Sequence, residues 1–261
     1  MNHLSTFCSF ALIAAAIQPL SAEDADSLQV AAAKAFTERQ DSTVNLSVTR
    51  KIKGKDQTFE VPAVSFDGKG LLVAALKAIE GGPNKGPANF QIGGDDGDED
   101  ESDGDAGGAK PKAKNSGELT KVALLRSDAT ESEADLVLTD ATLGLAFVRV
   151  RAAGADVAMP PAPPLAKGAP VLLEDLLAVE RLGSEFQRAA TASQLQIAAV
   201  LTTPRRLYVP SVGVAGGVAV YTLHGELLGI SSTVHDESVI IPAEAIQKLA
   251  ASLQAKADKQ P

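Results

Sequence analysis

The sequence predicts an all-β protein: two six-stranded antiparallel β-barrels followed by a C-terminal helix. Three features of the 261 residues lead to this class. Short apolar runs of strand length recur about a dozen times, several with period-two alternation. A proline-rich connector at 152–168 divides them into two groups of six. The last apolar segment instead repeats at helical spacing.

Residues 1–22 read as a secretory signal peptide. An apolar run over 7–17 is broken by Pro19 and closed by Ser21-Ala22 ahead of Glu23-Asp24. It is shorter than the roughly 20 residues that a membrane span needs. The stretch before the run lacks Lys and Arg, which departs from the usual pattern, and an ordinary buried N-terminal helix is the competing reading. An exported chain, periplasmic or secreted, is therefore expected, with its mature form beginning at Glu23. Residues 23–42 form a lead-in with an amphipathic helix over 26–39.

The first barrel is expected over 43–151, with strands at 44–49, 58–66, 71–75, 121–126, 135–139 and 144–150. Gly68-Lys69-Gly70 makes a tight turn between the second and third. Between them and the fourth lies a loop, 82–116, holding eight acidic residues within the eleven positions from Asp95 to Asp105. Such a block repels itself and predicts a disordered, solvated loop. Its best calcium-loop register starts at Glu99 and puts Lys110 where a bidentate Glu is required, so no metal site is expected. The connector 152–168 carries Pro160, Pro161, Pro163 and Pro164, which suit a stiff linker and not a central strand. The second barrel is expected over 169–241, with strands at 169–173, 193–201, 207–210, 217–222, 226–233 and 238–241. Residues 242–261 then give a helix and tail, with Ile246, Leu249 and Leu253 on one face.

Composition narrows the function classes. Hydrophobic residues make up 45% of the chain, enough for a core, which sets it apart from disordered proteins. The formal charge of −9 argues against a nucleic-acid binder, and all but one unit of it matches the acidic block. Cys8 is the only cysteine, excluding a disulfide framework and a cysteine-based zinc site. Three histidines, His3, His224 and His235, leave few means of acid–base or metal chemistry near neutral pH. No cofactor and no membrane span is expected.

The most informative stretch is 210–233, PSVGVAGGVAVYTLHGELLGISST. A Gly-x-x-Gly-Gly loop leads into an apolar strand, a His224-Gly225 turn and a strand containing Gly229-Ile230. This resembles the nucleophile region of the trypsin-like serine proteases, above all the HtrA-like branch, where Gly-Asn-Ser-Gly-Gly-Pro precedes a similar strand pair. The resemblance extends in chain order. Residues 70–80, GLLVAALKAIE, are similar to the family strand ending Thr-Asn-x-His-Val-Val. Residues 143–150, LGLAFVRV, are similar to Thr-Asp-Leu-Ala-Leu-Leu-Lys-Val, and 239–253 to the closing Ile-Pro strand and helix. It covers about residues 40–253, and no PDZ-like domain is expected to follow.

The resemblance implies a trypsin-like pair of barrels and places the family's His, Asp and Ser at Lys77, Gly144 and Ala215. The oxyanion loop survives only as Gly213, Val214, Ala215, Gly216 and Gly217. An alanine carries no nucleophile and a glycine cannot orient an imidazole, so the resemblance implies a pseudoprotease. Substitutes are poor. Ser211 is the one hydroxyl near the loop in sequence and stands four residues early, and Lys77 reads as a surface residue. His224 and His235 lie in turns. Asn45-Leu46-Ser47 matches a glycosylation acceptor but falls within a strand. The expected function is an inactive homologue that binds an extended peptide or a protein by strand addition. The alternatives are an active endopeptidase with a displaced motif, or an unrelated secreted all-β protein such as a sandwich, in which the glycines only make a turn.

Overall fold

The computed structural model describes residues 22–81, 117–126, 128–151, 158–235 and 237–257. The expected signal peptide up to residue 21, the acidic loop 82–116 with its rejected calcium register, and connector residues 152–157 lie outside them. Helix α1 (Ala22–Arg39) is rich in alanine, the best helix former, and lays Ala32, Ala35 and Phe36 onto the core.

The first sheet comprises β1 (Thr43–Ile52), β2 (Lys55–Ser65), β3 (Leu71–Ala75), β4 (Glu118–Leu125), β5 (Glu131–Asp140) and β6 (Leu145–Val150). All pairings are antiparallel, and the order β1-β2-β3-β6-β5-β4 closes because β4 pairs back on β1. Lys53 and Gly54, both at positive φ, form the two-residue turn joining β1 to β2, a geometry that matches strand twist. Helix α2 (Leu76–Gly81) follows β3 directly.

The second sheet comprises β7 (Asp175–Arg181), β8 (Ala190–Leu201), β9 (Leu207–Pro210), β10 (Ala219–Thr222), β11 (Leu227–Val234) and β12 (Glu237–Pro242), before α3 (Ala243–Ala257). Its order, β10-β11-β12-β9-β8-β7, repeats that of the first sheet strand for strand and also closes. The described strands thus form two closed six-stranded antiparallel barrels, as the sequence predicts, and the sandwich alternative does not fit them.

Each barrel has its own interior. Leu46, Val48, Ala63, Leu72 and Val148 fill the first, and Leu176, Ile197, Tyr208, Val220 and Ile240 the second. A third apolar cluster joins the two, with Val73, Leu145 and Phe147 meeting Val179, Tyr221 and Ile230, and α1 and α3 covering its ends. The proline connector is tied to both barrels. Pro160 accepts a hydrogen bond from Ser65 Oγ at 2.7 Å, and Pro164 accepts one from the Leu227 amide at 2.7 Å.

One strand differs from expectation. Residues 169–173 are not a strand: Val171, Leu172 and Leu173 are exposed, and Leu173 takes φ +63° in a turn. The strand is β7, six residues later. Its Leu176 and Ala178 point into the second barrel while Leu177 and Val179 point to the inter-barrel core. With both faces buried, the run lacks the alternation that marks a half-exposed strand. Among the described residues no helix is long and apolar enough to cross a membrane.

Candidate functional site

The seam between the barrels gathers the three positions that the family resemblance singles out. Lys77 is an exposed residue in the first turn of α2, just past the end of β3. Gly144 closes the turn into β6. The amide beside Lys77, that of Leu76, donates to the Gly144 carbonyl at 2.8 Å, so these two segments touch. Ala215 lies on the loop before β10, half-buried. Gly217 brings that loop against the first barrel: a Cβ there would stand 2.6 Å from the Pro62 carbonyl and 3.3 Å from the Ala75 amide, at φ +91°. Only glycine fits such an approach.

The 213–217 loop is held by serines from the strands behind it. Ser231 Oγ accepts from the Val218 amide at 2.9 Å and donates to the Ala215 carbonyl. Ser238 Oγ accepts from the Val214 amide at 3.1 Å and donates to the same residue's carbonyl at 3.1 Å. Both hydroxyls hold backbone. Sequence spacing points to Ser211 as the one hydroxyl near the loop, but in the fold Ser231 and Ser238 take that place. Ser211 Oγ instead accepts from the Gln196 amide at 3.0 Å on β8, while Ser231 and Ser238 do the touching. At Ala215 itself only a methyl group is present, so no lone pair is available there for attack on a carbonyl. His224 and His235 are exposed on turns.

Gly144 is shaped as a glycine. Its φ is +64°, and a Cβ would fall 2.5 Å from Ser232 Oγ. Ser232 is buried and donates to the Gly144 carbonyl at 3.0 Å. The space next to the turn is therefore already occupied by a hydroxyl from the second barrel.

Two cavities meet at Ala215. A cleft of about 680 Å3 is lined by Ser47, Phe59 and Pro62 of the first barrel and by Glu180, Leu182 and Glu185 of the second. A volume of this size falls within the range of peptide- or ligand-sized sites. A smaller pocket of about 110 Å3 opens beside it between the β7–β8 face and residues 212–215. Within the cleft, Arg188 pairs with Glu60 at 2.8 Å, and Asn45 Nδ2 donates to the same carboxylate at 3.0 Å. Asn45 is buried by this role, which closes it to glycosylation. Lys121, with a hydrogen bond to Glu131, holds that carboxyl below its usual range. Burial pushes the Glu180 carboxyl upward. No group of three His, Cys, Asp or Glu side chains able to hold a metal occurs among the described residues.

Sequence reasoning did not single out Ser231, Ser232, Ser238 or Glu180. Ser231 and Ser232 follow Gly229-Ile230 in the stretch quoted above, so their place was visible; their partners were not, because those come from distant segments. Compared with models of known protein families and with curated proteins, the chain matches none.

Proposed function

We propose that this chain is an exported, catalytically inactive trypsin-like domain that holds an extended peptide or protein segment in the cleft between its barrels. The observation that carries the reading is Ala215: a methyl group lines an open cleft, and the two serines bonded to its loop, Ser231 and Ser238, are tied to the backbone. The paired barrels with identical strand order support the trypsin-like frame. Lys77, Gly144 and Ala215 are read as the degenerate triad, and 213–217 as the remnant of the oxyanion loop. Such a cleft keeps strand-like walls for binding while lacking the groups that would cleave what is bound.

The test is a fluorophosphonate serine probe together with casein hydrolysis, run beside anisotropy binding of fluorescein-labelled extended heptapeptides. No labelling, no hydrolysis and saturable peptide binding are expected. Covalent labelling of any serine in the wild-type protein overturns the inactive reading. N-terminal sequencing of the exported protein is expected to begin at Glu23.

A further inference from the structure

Among the described residues, most exposed large apolar side chains stand singly, but three stand in a run. Val171, Leu172 and Leu173 are exposed by 67%, 61% and 69% in the turn that leads into β7 of the second barrel. That turn is fastened. The Val171 amide donates to Glu174 Oε2 at 2.9 Å, and the Glu174 amide to the Val171 carbonyl at 3.3 Å. The Leu173 amide donates to the Ile197 carbonyl at 2.9 Å, and the Ile197 amide to the Glu174 carbonyl at 3.3 Å. Strand β8 therefore runs beside the turn, and it goes on to Leu201, itself 42% exposed.

Such a turn is costly where it stands. Leu173 holds φ +63°, a conformation that leucine rarely adopts, and the bonds just given keep the backbone from folding the run under. Single exposed apolar residues need no explanation, whereas a contiguous exposed set marks a surface that something covers. The charges around it point to what. Lys167 precedes the turn, and Arg205 and Arg206 follow the end of β8. The acids of the same region are engaged: Glu174 on the Val171 amide, Asp175 on Gln194 and Gln196, and Glu244 opposite Arg206 at 3.8 Å. Neither Lys167 nor Arg205 forms an ion pair among the described residues. The excess acid of the chain belongs to 95–105, inserted in the first barrel and not in the second. Apolar side chains that protrude between free cations match an anionic bilayer. A second copy fits less well, because an isologous contact sets one protrusion against the same protrusion.

We propose that the 171–173 turn is a peripheral membrane anchor: Val171, Leu172 and Leu173 dip into an anionic lipid surface, and Lys167 and Arg205 meet its headgroups. The chain then lies on a bilayer without spanning it. This holds whatever the cleft binds. Three short side chains and a few cations give a reversible association, which gathers the protein at the surface and releases it in salt. The long stems of Lys167 and Arg205 let their heads reach phosphates while the turn sits deeper.

The test floats the exported protein with vesicles of about one-third phosphatidylglycerol in phosphatidylethanolamine, and with vesicles of phosphatidylcholine alone. Binding to the anionic vesicles is expected to be at least about tenfold tighter and to weaken with added salt. Leu172→Ser with Leu173→Asn should lower that binding at least about tenfold, with the thermal melt at or above that of wild type. Both side chains are exposed, and asparagine accepts the left-handed backbone that leucine does not favour. Lys167→Gln with Arg205→Gln should remove the preference for anionic vesicles. A wild-type protein that floats with neither vesicle, equal binding to both, or binding that survives Leu172→Ser with Leu173→Asn overturns the proposal. So does self-association in sedimentation velocity, without lipid, that the same two substitutions abolish, since that assigns the turn to a second copy.

Discussion

Ser232 Oγ donates to the carbonyl of Gly144 at 3.0 Å, across the seam between the two barrels. The same oxygen occupies the space that a side chain at position 144 would need, 2.5 Å from an ideal Cβ. The turn at 144 is therefore adapted to having no side chain, both by its positive φ of +64° and by the neighbour that fills the gap.

Gly144→Ala should consequently destabilise the protein by about 1–3 kcal/mol, combining left-handed backbone strain with the steric conflict. Ser232→Ala removes the conflict and not the strain, so the double variant should be less destabilised than the sum of the two singles. Urea unfolding of the four proteins measures this. A Gly144→Ala variant as stable as wild type would refute the packing described. The same geometry bears on any attempt to rebuild the triad. Lys77→His, Gly144→Asp, Ala215→Ser introduces its aspartate at the least receptive of the three positions, and no peptidase activity is expected from the triple variant in a casein assay.

Arg50 ties together the two ends of the chain that flank the 82–116 segment. Its Nη1 donates to the Ile79 carbonyl at 2.9 Å in α2, and its Nε to the Gly117 carbonyl at 2.9 Å, just before β4. The residue is buried, and carbonyls in place of a carboxylate receive its protons. Arg50→Met leaves those carbonyls without donors and should cost about 2 kcal/mol or more. Arg50→Lys should recover only part, since a single ammonium nitrogen lacks the planar fork whose separate nitrogens reach the Ile79 and Gly117 carbonyls. Thermal melts of both variants within a degree of wild type would show that the guanidinium is dispensable.

How far the fold could be read from sequence follows from how each strand is buried. The strands β3, LLVAA, and β6, LAFVRV, were visible as compact apolar runs bounded by Gly70 and Gly144. Strand β7 was not, since the exposed triplet Val171-Leu172-Leu173 looks more strand-like than DLLAVER, whose two faces are covered by different cores. The site was legible as a loop and as three positions in order, all through family resemblance. Its physical content was not. Ser231, Ser238 and Ser232 act on residues 16, 24 and 88 positions away, and no spacing rule joins partners so distant. Glu180 is a lone acid at the end of an apolar strand. That no charge answers it, with Arg188 of the same cleft paired to Glu60, shows only in the folded chain.

Tyr221 sits on β10 in the cluster between the barrels, fully buried, and its hydroxyl finds no partner at normal hydrogen-bond geometry among the described residues, although the Thr43 and Ser42 hydroxyls and Arg39 lie close enough to favour its ionised form slightly. Burial pushes its phenol from an ordinary 10.0 up to about 12. The folded state thus holds this proton more tightly than the unfolded chain. The stability it contributes is complete below pH 10 and lost as pH rises through about 12. The ceiling on that loss is about 2–3 kcal/mol for two pH units. Tyr221→Phe deletes the unpaired oxygen and the titration together. At pH 7 the variant should match or slightly exceed wild type, because nothing bonded is removed. Above pH 10 its urea midpoint should fall less steeply than that of wild type. Tyr208, the other of the two tyrosines, is also raised by burial and stays in place as an internal reference for the absorbance titration. A loss of more than about 1 kcal/mol at neutral pH would mean that the hydroxyl anchors an ordered water at the seam, and the unpaired description of Tyr221 would be wrong.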